Sequence, residues 1–527
     1  MTIKRLILIV LTVFAVVKVS LSLIGSWGEP QIQSRLELYQ TNLLLQASEW
    51  QGENTQGNLD PKIVREAIVG AEPVKTAEKQ YEESQDVAKT SLEKAQKQLQ
   101  QLASASVTPP VAPKQQLPYP PVEEASPTKQ QLQASVGQLQ KLIDELDLRL
   151  GIIKASQLEM GGALRSWNDL IDRYQERADV SSGKTAAVLV GLWSEPQQIL
   201  PDAEQQITKD LDGWFRDRAL TQLYNLQQRP DALAALQARV QQLAQQAIFK
   251  LAIVGGIPAI GFVIGVGLLI FLAAQLLIQG KKSLLAQNAD TSWSTPWDAE
   301  TIWQVFILGF FFIGQILLPL FFSLLPLNPA SFDIRAKAFY VLLSYLLLAG
   351  GGLSVLYISI KRFLPLPEGW FTFDWRPTWI LWGLGGYFVA LPLVIVVSLI
   401  NQKLWQGQGG SNPILPIALQ GQDGVALTVF FLTAAVAAPV FEELLFRGFL
   451  LPSLTHYMPV WGAISLSSLL FAIAHLSLSE VLPLATLGML LGIVYTRSRN
   501  LLAPMLLHSL WNSGTLLSLF LLGSGAS

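Results

Sequence analysis

Hydrophobic and polar positions divide the chain into three stretches. Leu6 to about Ile24 is apolar apart from Lys18, which is expected to snorkel, and the run is long enough to cross a membrane. From about Glu29 to Gln246 the chain is polar, Gln-rich and free of spanning runs. After Lys250 it turns apolar almost to its end. Further spanning runs begin near Leu251, Ile302, Ala338, Thr378, Val425, Pro459, Val481 and Leu501, which with the first run makes about nine helices. The expected fold is all-α: a polytopic helical membrane protein with an N-terminal helical, coiled-coil insert. The composition shifts place an anchor at 1–28, the insert at 29–247, accessory helices at 248–424 and a last group of helices at 425–523.

Within the polar stretch two heptad patterns recur at 4,3 spacing. One runs through Tyr81, Val87/Ala88, Leu92, Ala95, Leu99 and Leu102, the other through Leu132, Val136, Leu139, Ile143, Leu146, Leu150 and Ile153. The Pro-rich segment from Val107 to Pro127 separates them and cannot be helical. An antiparallel hairpin fits this order, as does pairing with a coiled-coil partner or self-association. Ala178-x4-Gly183-Lys184-Thr185 satisfies a loose phosphate-loop pattern, but the polar helical sequence before it supplies no strand, so a turn between helices is expected.

Composition narrows the class. Charged residues make up 14% against about 25% in soluble domains, and mean hydropathy is +0.37. A net charge of −2 with no dense basic run gives no sign of a nucleic-acid partner. The absence of cysteine excludes thiolate chemistry and thiolate metal sites. Lys4 and Arg5 hold the N-terminus of the first helix, read as an uncleaved anchor, in the cytoplasm. Lys281/Lys282, Lys361/Arg362, Arg447 and Arg497/Arg499 then fall on the same side, leaving residues 29–247 extracytoplasmic. Tryptophans at run edges, such as Trp293, Trp297, Trp370 and Trp375, are expected to form an interfacial belt.

The chemistry concentrates in the last helices. Phe441 to Arg447 sets two carboxylates and a guanidinium inside a spanning run, where such groups are expensive and mark function. On a helix Glu443 pairs with Arg447 at i,i+4, which leaves Glu442 without a cationic partner and suited to take a proton from water. His475 and His508 lie in the helices that follow, with Asn512 one turn after His508, whereas His456 reads as a surface residue. Pro439 removes a helical hydrogen bond just before the glutamates and is expected to open a path for water. His475, His508 and Glu442 could alternatively hold zinc, although the HExxH signature is absent, as are GxSxG and GxGD. The residues suit Glu-activated water attacking a carbonyl without a metal or cofactor, with His and Asn donating to the oxyanion.

Glu442-Glu443-x3-Arg447, Phe471-x3-His475 and His508-x3-Asn512, in that order, resemble the CPBP intramembrane proteases, the family of the CAAX prenyl endopeptidase and of bacteriocin-processing and self-immunity proteins. The resemblance covers roughly Val425 to Leu522. It implies a membrane endopeptidase acting on a peptide or protein substrate, among membrane lipids, with a site open to the cytoplasm. By motif, Glu442 and His475 would activate water, Glu443 and Arg447 would support the base, and His508 with Asn512 would form the oxyanion hole. A bacterial plasma membrane, or a cyanobacterial thylakoid, is the expected location, and a catalytically silent adaptor or self-immunity protein is the alternative function.

Overall fold

The protein is described from a computed structural model, covering residues 2–27, 32–52, 60–105, 129–175, 181–326, 328–405, 407–411 and 423–523. All regular elements among these residues are helices. The chain divides into two compact units, one of residues 1–35 with 253–524 and one of residues 36–252 with the last three residues.

The first unit begins with α1 (Ile3–Ser26), capped by Thr2, whose hydroxyl accepts from the Arg5 amide. The second unit is built on α2 (Pro73–Ala105) and α3 (Lys129–Ser156). Lys154 pairs with Glu82 at 3.0 Å, Gln157 donates to Glu78 at 2.7 Å, and Gln85 donates to Asp147. Numbers that rise along one helix as they fall along the other make the pair antiparallel. The Pro-rich linker expected between them lies outside the described residues. Only the N-terminal part of α3 shows a one-sided seam. From Ile143 onward Leu146, Leu148, Leu150, Ile152 and Ile153 are all buried, so this half is the central helix of a bundle. Its neighbours are α4 (Met160–Gln175), α5 (Ser181–Trp193) and α6 (Gly213–Leu226). Gly183, Lys184 and Thr185 sit on α5 rather than in a turn, with helix α4 before them.

The membrane unit continues with α7 (Ile257–Gln279), α8 (Ala299–Ser323), α9 (Ile334–Ile360), α10 (Thr378–Trp405), α11 (Gly424–Leu454), α12 (Val460–Ile473), α13 (Leu478–Ser498) and α14 (Leu502–Gly523). Eight helices among the described residues are long and apolar enough to span, making this a multi-pass membrane protein. The ninth expected span is α12, which at 14 residues is too short. It stops where Leu476 takes a φ of 58°, a left-handed conformation costly for a side-chain-bearing residue.

Helix ends alternate between two faces. On one, Lys4 and Arg5 pair with Glu300 at 3.0 and 2.6 Å, and the Leu501 amide donates to Thr372 O at 3.0 Å. On the other, the Leu478 amide donates to Ser26 Oγ at 3.1 Å and Arg335 pairs with Asp423 at 2.7 Å. The basic face is closed by aromatic side chains. Trp293, Trp297 and Trp370 are buried rather than belted at an interface, because each indole N–H finds a fixed acceptor: Gly369 O, Ser453 Oγ and Ser294 O respectively. Trp297 lies edge-on to Trp370 with centroids 4.3 Å apart and stacks on Phe449, while Trp293 stacks on Tyr495. Trp375 is exposed, as a belt residue would be.

Prolines inside the spans free carbonyls that no water can reach, and neighbouring helices satisfy them. Pro319 frees Gln315 O, which accepts from Lys18 Nζ at 2.8 Å, so Lys18 is a cross-helix donor rather than a snorkelling side chain. Pro483 frees Ser479 O, which accepts from Asn401 Nδ2 at 2.7 Å.

A Cβ on Gly151 of α3 would collide with the fully buried Trp167 ring, whose Nε1 donates to Leu148 O at 3.1 Å. Gly151→Ala is expected to lower the stability of the 36–252 unit by about 1–3 kcal/mol, read as an earlier thermal transition by Trp fluorescence; an unchanged transition would mean this packing is not formed.

Candidate active site

The site is built on α11, which leaves α geometry twice, with π-helical turns at Leu432–Ala437 and Glu443–Leu450. Such turns are frequent at functional sites. Pro439, between them, cannot donate to Ala435 O. That carbonyl accepts from Ser509 Oγ at 2.5 Å, and its neighbour Ala434 O accepts from Asn512 Nδ2 at 2.7 Å. The opening that Pro439 was expected to give to water is thus filled by two side chains of α14, which clamp α14 onto α11.

Glu443 and Arg447 are fully buried and pair at 2.8 Å, as their i,i+4 spacing requires. Arg447 Nη2 also donates to Gly488 O at 3.1 Å, and its guanidinium lies 4.6 Å from the Phe471 ring centroid. A side chain at Gly488 would crowd both Ser468 and Arg447, so glycine is needed for this approach of α13. Arg447 is therefore an internal strut and not a marker of the cytoplasmic face. The same Glu443 Oε1 that takes Arg447 also lies 2.8 Å from His508 Nδ1. An ionised carboxylate only accepts, so His508 carries its proton on Nδ1.

Glu442 has different surroundings. Tyr345 of α9 donates to its Oε1 at 2.9 Å, and its Oε2 lies 3.9 Å from His508 Nε2. It lines a cavity of about 440 Å³ together with His475, His508 and Asn512, whereas Glu443 and Arg447 are not among the lining residues. His475, in the turn just after α12, donates from Nδ1 to Phe471 O at 2.9 Å, so that Nε2 is its second ring nitrogen. His475 makes no ion pair with Glu442 within 4.0 Å; the two share the cavity wall only. His456 is exposed, as expected. Among the described residues no three His, Asp or Glu side chains converge closely enough to hold a metal ion.

The cavity has a closed and an open end. Its floor is buried Phe441, Phe446, Phe471, Leu487 and His508, whereas Gln315, His475, Glu480 and Asn512 are half-buried and Thr515 is exposed. The open end belongs to the half of the bundle near Ser26 and Leu478. Sequence reasoning missed Tyr345, Ser509, Gln315 and Glu480. Ser509 could have been found from its place between His508 and Asn512, but Tyr345 stands alone in an apolar helix with no pattern around it.

Removing one partner of a buried pair costs about 3–5 kcal/mol. Glu443→Gln is therefore expected to lower the melting temperature in detergent sharply, because it leaves the Arg447 charge without its anion. Glu442→Gln, which can keep its bond to Tyr345, should melt close to wild type. The opposite ranking would reverse the assignment of brace and free acid.

Residues 424–514 match the family described as type II CAAX prenyl endopeptidase Rce1-like. A stretch of 134 residues is 25% identical to the "Putative membrane peptidase YdiL" of Bacillus subtilis (strain 168), covering 25% of this chain and 54% of that protein. The chain thus spans about half the length of this curated relative. No solved structure matches. The helices that bring Glu442, Glu443, Arg447, His475, His508 and Asn512 together, α11 to α14, are those that match the type II CAAX prenyl endopeptidase Rce1-like family.

Proposed function

We propose that the protein is a membrane endopeptidase in which Glu442 activates water for attack on a peptide carbonyl. The observation that carries this reading is the division between adjacent glutamates: Glu443 is locked to Arg447 and His508 out of contact with the cavity, while Glu442 faces a cavity of about 440 Å³. The Rce1-like match and the membrane peptidase relative support the reaction class.

In this reading water lies between Glu442 and the scissile carbonyl. Glu442 takes one proton as the O–C bond forms, and returns it to the leaving amine as the C–N bond breaks. His475, with Nε2 unprotonated, accepts from the same water and orients it. Asn512 Nδ2 has two protons and uses one on Ala434 O, so the second is left for the oxyanion. His508, one turn earlier on the same face of α14, joins it at the oxyanion. Tyr345 fixes the rotamer of Glu442. These groups suffice for the chemistry, so neither metal nor cofactor is part of the mechanism; zinc dependence is the variant to be tested. The exposed Lys4, Arg5, Lys281, Lys282, Lys361 and Arg362 put their face in the cytoplasm. One crossing then carries residues 36–252 to the other side, where they are suited to holding a protein partner or to self-association.

Purified full-length protein incubated with a peptide library in detergent tests this. Wild type should cleave, Glu442→Gln should not, and Tyr345→Phe should lower kcat about tenfold with KM little changed, the loss of one hydrogen bond of about 1.4 kcal/mol. Chelator should leave wild-type turnover intact. Activity lost to chelator and restored by zinc would replace the metal-free reading. Absence of cleavage by wild type and Glu442→Gln alike would favour a non-proteolytic membrane adaptor.

A further inference from the structure

α1 is held to the membrane unit by few contacts, and most of them fall on α8. Only Leu8, Ala15 and Ser26 of its 24 residues are buried. Lipid gives such a helix no hydrophobic reason to dock, so polar and shape-specific ties decide where it sits. Lys4 and Arg5 pair with Glu300, Trp303 Nε1 donates to Thr12 Oγ1 at 2.7 Å, and the Phe14 ring meets that of Phe311 edge-on with centroids 6.3 Å apart. Lys18 completes this line by donating to Gln315 O at 2.8 Å. An ammonium group inside a span is expensive, and its place there points to function by default.

α8 stands between α1 and the cavity. Phe310 and Phe311 are neighbours in sequence, yet Phe311 meets α1 while Phe310 lines the cavity and packs edge-on to Phe446 of the floor, with centroids 6.0 Å apart. Gln315, the other α8 residue in the wall, is half-buried. A glutamine amide can both donate to and accept from a peptide backbone. The stretch from Val305 to Leu317 is π-helical. Such turns are rare and mostly short, so one of 13 residues depends on what its neighbours hold in place. Pro319, one turn past Gln315, takes away the amide that would close the helix there, and Lys18 supplies the missing donor.

We infer that Lys18 is a positioning residue of the cleavage site: by holding the Gln315 carbonyl it fixes the end of the π-helical stretch, and with it the Gln315 amide that pairs with the backbone of a bound peptide. This rests on the endopeptidase reading, and neither residue lies in the stretch matched to the Rce1-like family. α1 is then a support of the cavity wall and not an anchor alone.

Kinetics of full-length variants in detergent, on a peptide that the wild type cleaves, test this. Lys18→Met should raise KM about fivefold with kcat unchanged, the loss of one hydrogen bond to bound peptide, and Lys18→Arg, which keeps a donor, should stay near wild type. Gln315→Ala should raise KM to the same extent, and Lys18→Met added to it should raise KM no further, because Lys18 acts through Gln315. Thr12→Val removes the tie from α1 to Trp303, which is not in the cavity wall, so it should lower the melting temperature as Lys18→Met does and leave KM alone. An unchanged KM in Lys18→Met, additive effects of Lys18→Met and Gln315→Ala, or a KM change as large in Thr12→Val would overturn the inference. Hydrogen exchange over residues 305–317 reads the same support without activity. Faster exchange in Lys18→Met than in wild type and Lys18→Arg supports it, and equal exchange in all three overturns it. Absence of cleavage by the wild type would count against the endopeptidase reading and with it the role in peptide binding, while the exchange result would still decide whether Lys18 holds α8.

Discussion

A single carboxylate oxygen, Glu443 Oε1, holds the site together. It accepts a hydrogen bond from the Arg447 guanidinium one turn further along its own helix and faces the ring nitrogen of His508 on α14, each at 2.8 Å. Arg447 passes the connection to the Gly488 carbonyl of α13 and to the Phe471 ring of α12. Four helices are thereby tied through one buried ion pair, although Glu443 Oε2 and Arg447 Nε are buried without a hydrogen-bond partner. The arrangement also separates two chemically identical neighbours. Glu443 is committed to structure, which leaves Glu442 the acid with access to the cavity.

The second constraint is the apolar surroundings of the backbone. A carbonyl freed by proline inside a span has no water to turn to, and leaving it unpaired costs about 1–3 kcal/mol. The chain answers with Lys18 on Gln315, Asn401 on Ser479, and Ser509 with Asn512 on the pair before Pro439. The last case matters for chemistry, since the bond that clamps α14 onto α11 also fixes the amide proposed to meet the oxyanion. Fold and mechanism use different protons of the same nitrogen. Where Pro392 frees Phe388 O, Gly265 of α7 comes so close that a side chain would not fit.

What the sequence made legible follows the range of each interaction. The Glu443–Arg447 pair is local, so helical spacing alone revealed it. The spans are set by composition, and all but α12 were readable from it. The bond from His508 to Glu443 joins residues 65 apart, and that from Tyr345 to Glu442 joins residues 97 apart. Neither leaves a periodic trace. The tryptophans misled for a related reason: a ring at the edge of an apolar run has the same sequence context whether it floats at an interface or plugs the end of the bundle. Arg447 misled too, because a basic residue near a helix end suggests cytoplasm until its partner is known. α12 ended early because His475 engages Phe471 O and Leu476 turns left-handed, a local event inside an apolar run.

Histidine offers the most direct measurement, since the chain has only three and one of them is the junction between the glutamates. Nitrogen-15 NMR of histidine-labelled protein in detergent or lipid, assigned with the variant lacking each histidine in turn, reads the tautomer of His508. The account predicts a proton on Nδ1 in a strong bond to a carboxylate, with the resonance shifting markedly in Glu443→Gln while that of His456 stays in place. A His508 protonated on Nε2 alone, or one indifferent to Glu443→Gln, would contradict it.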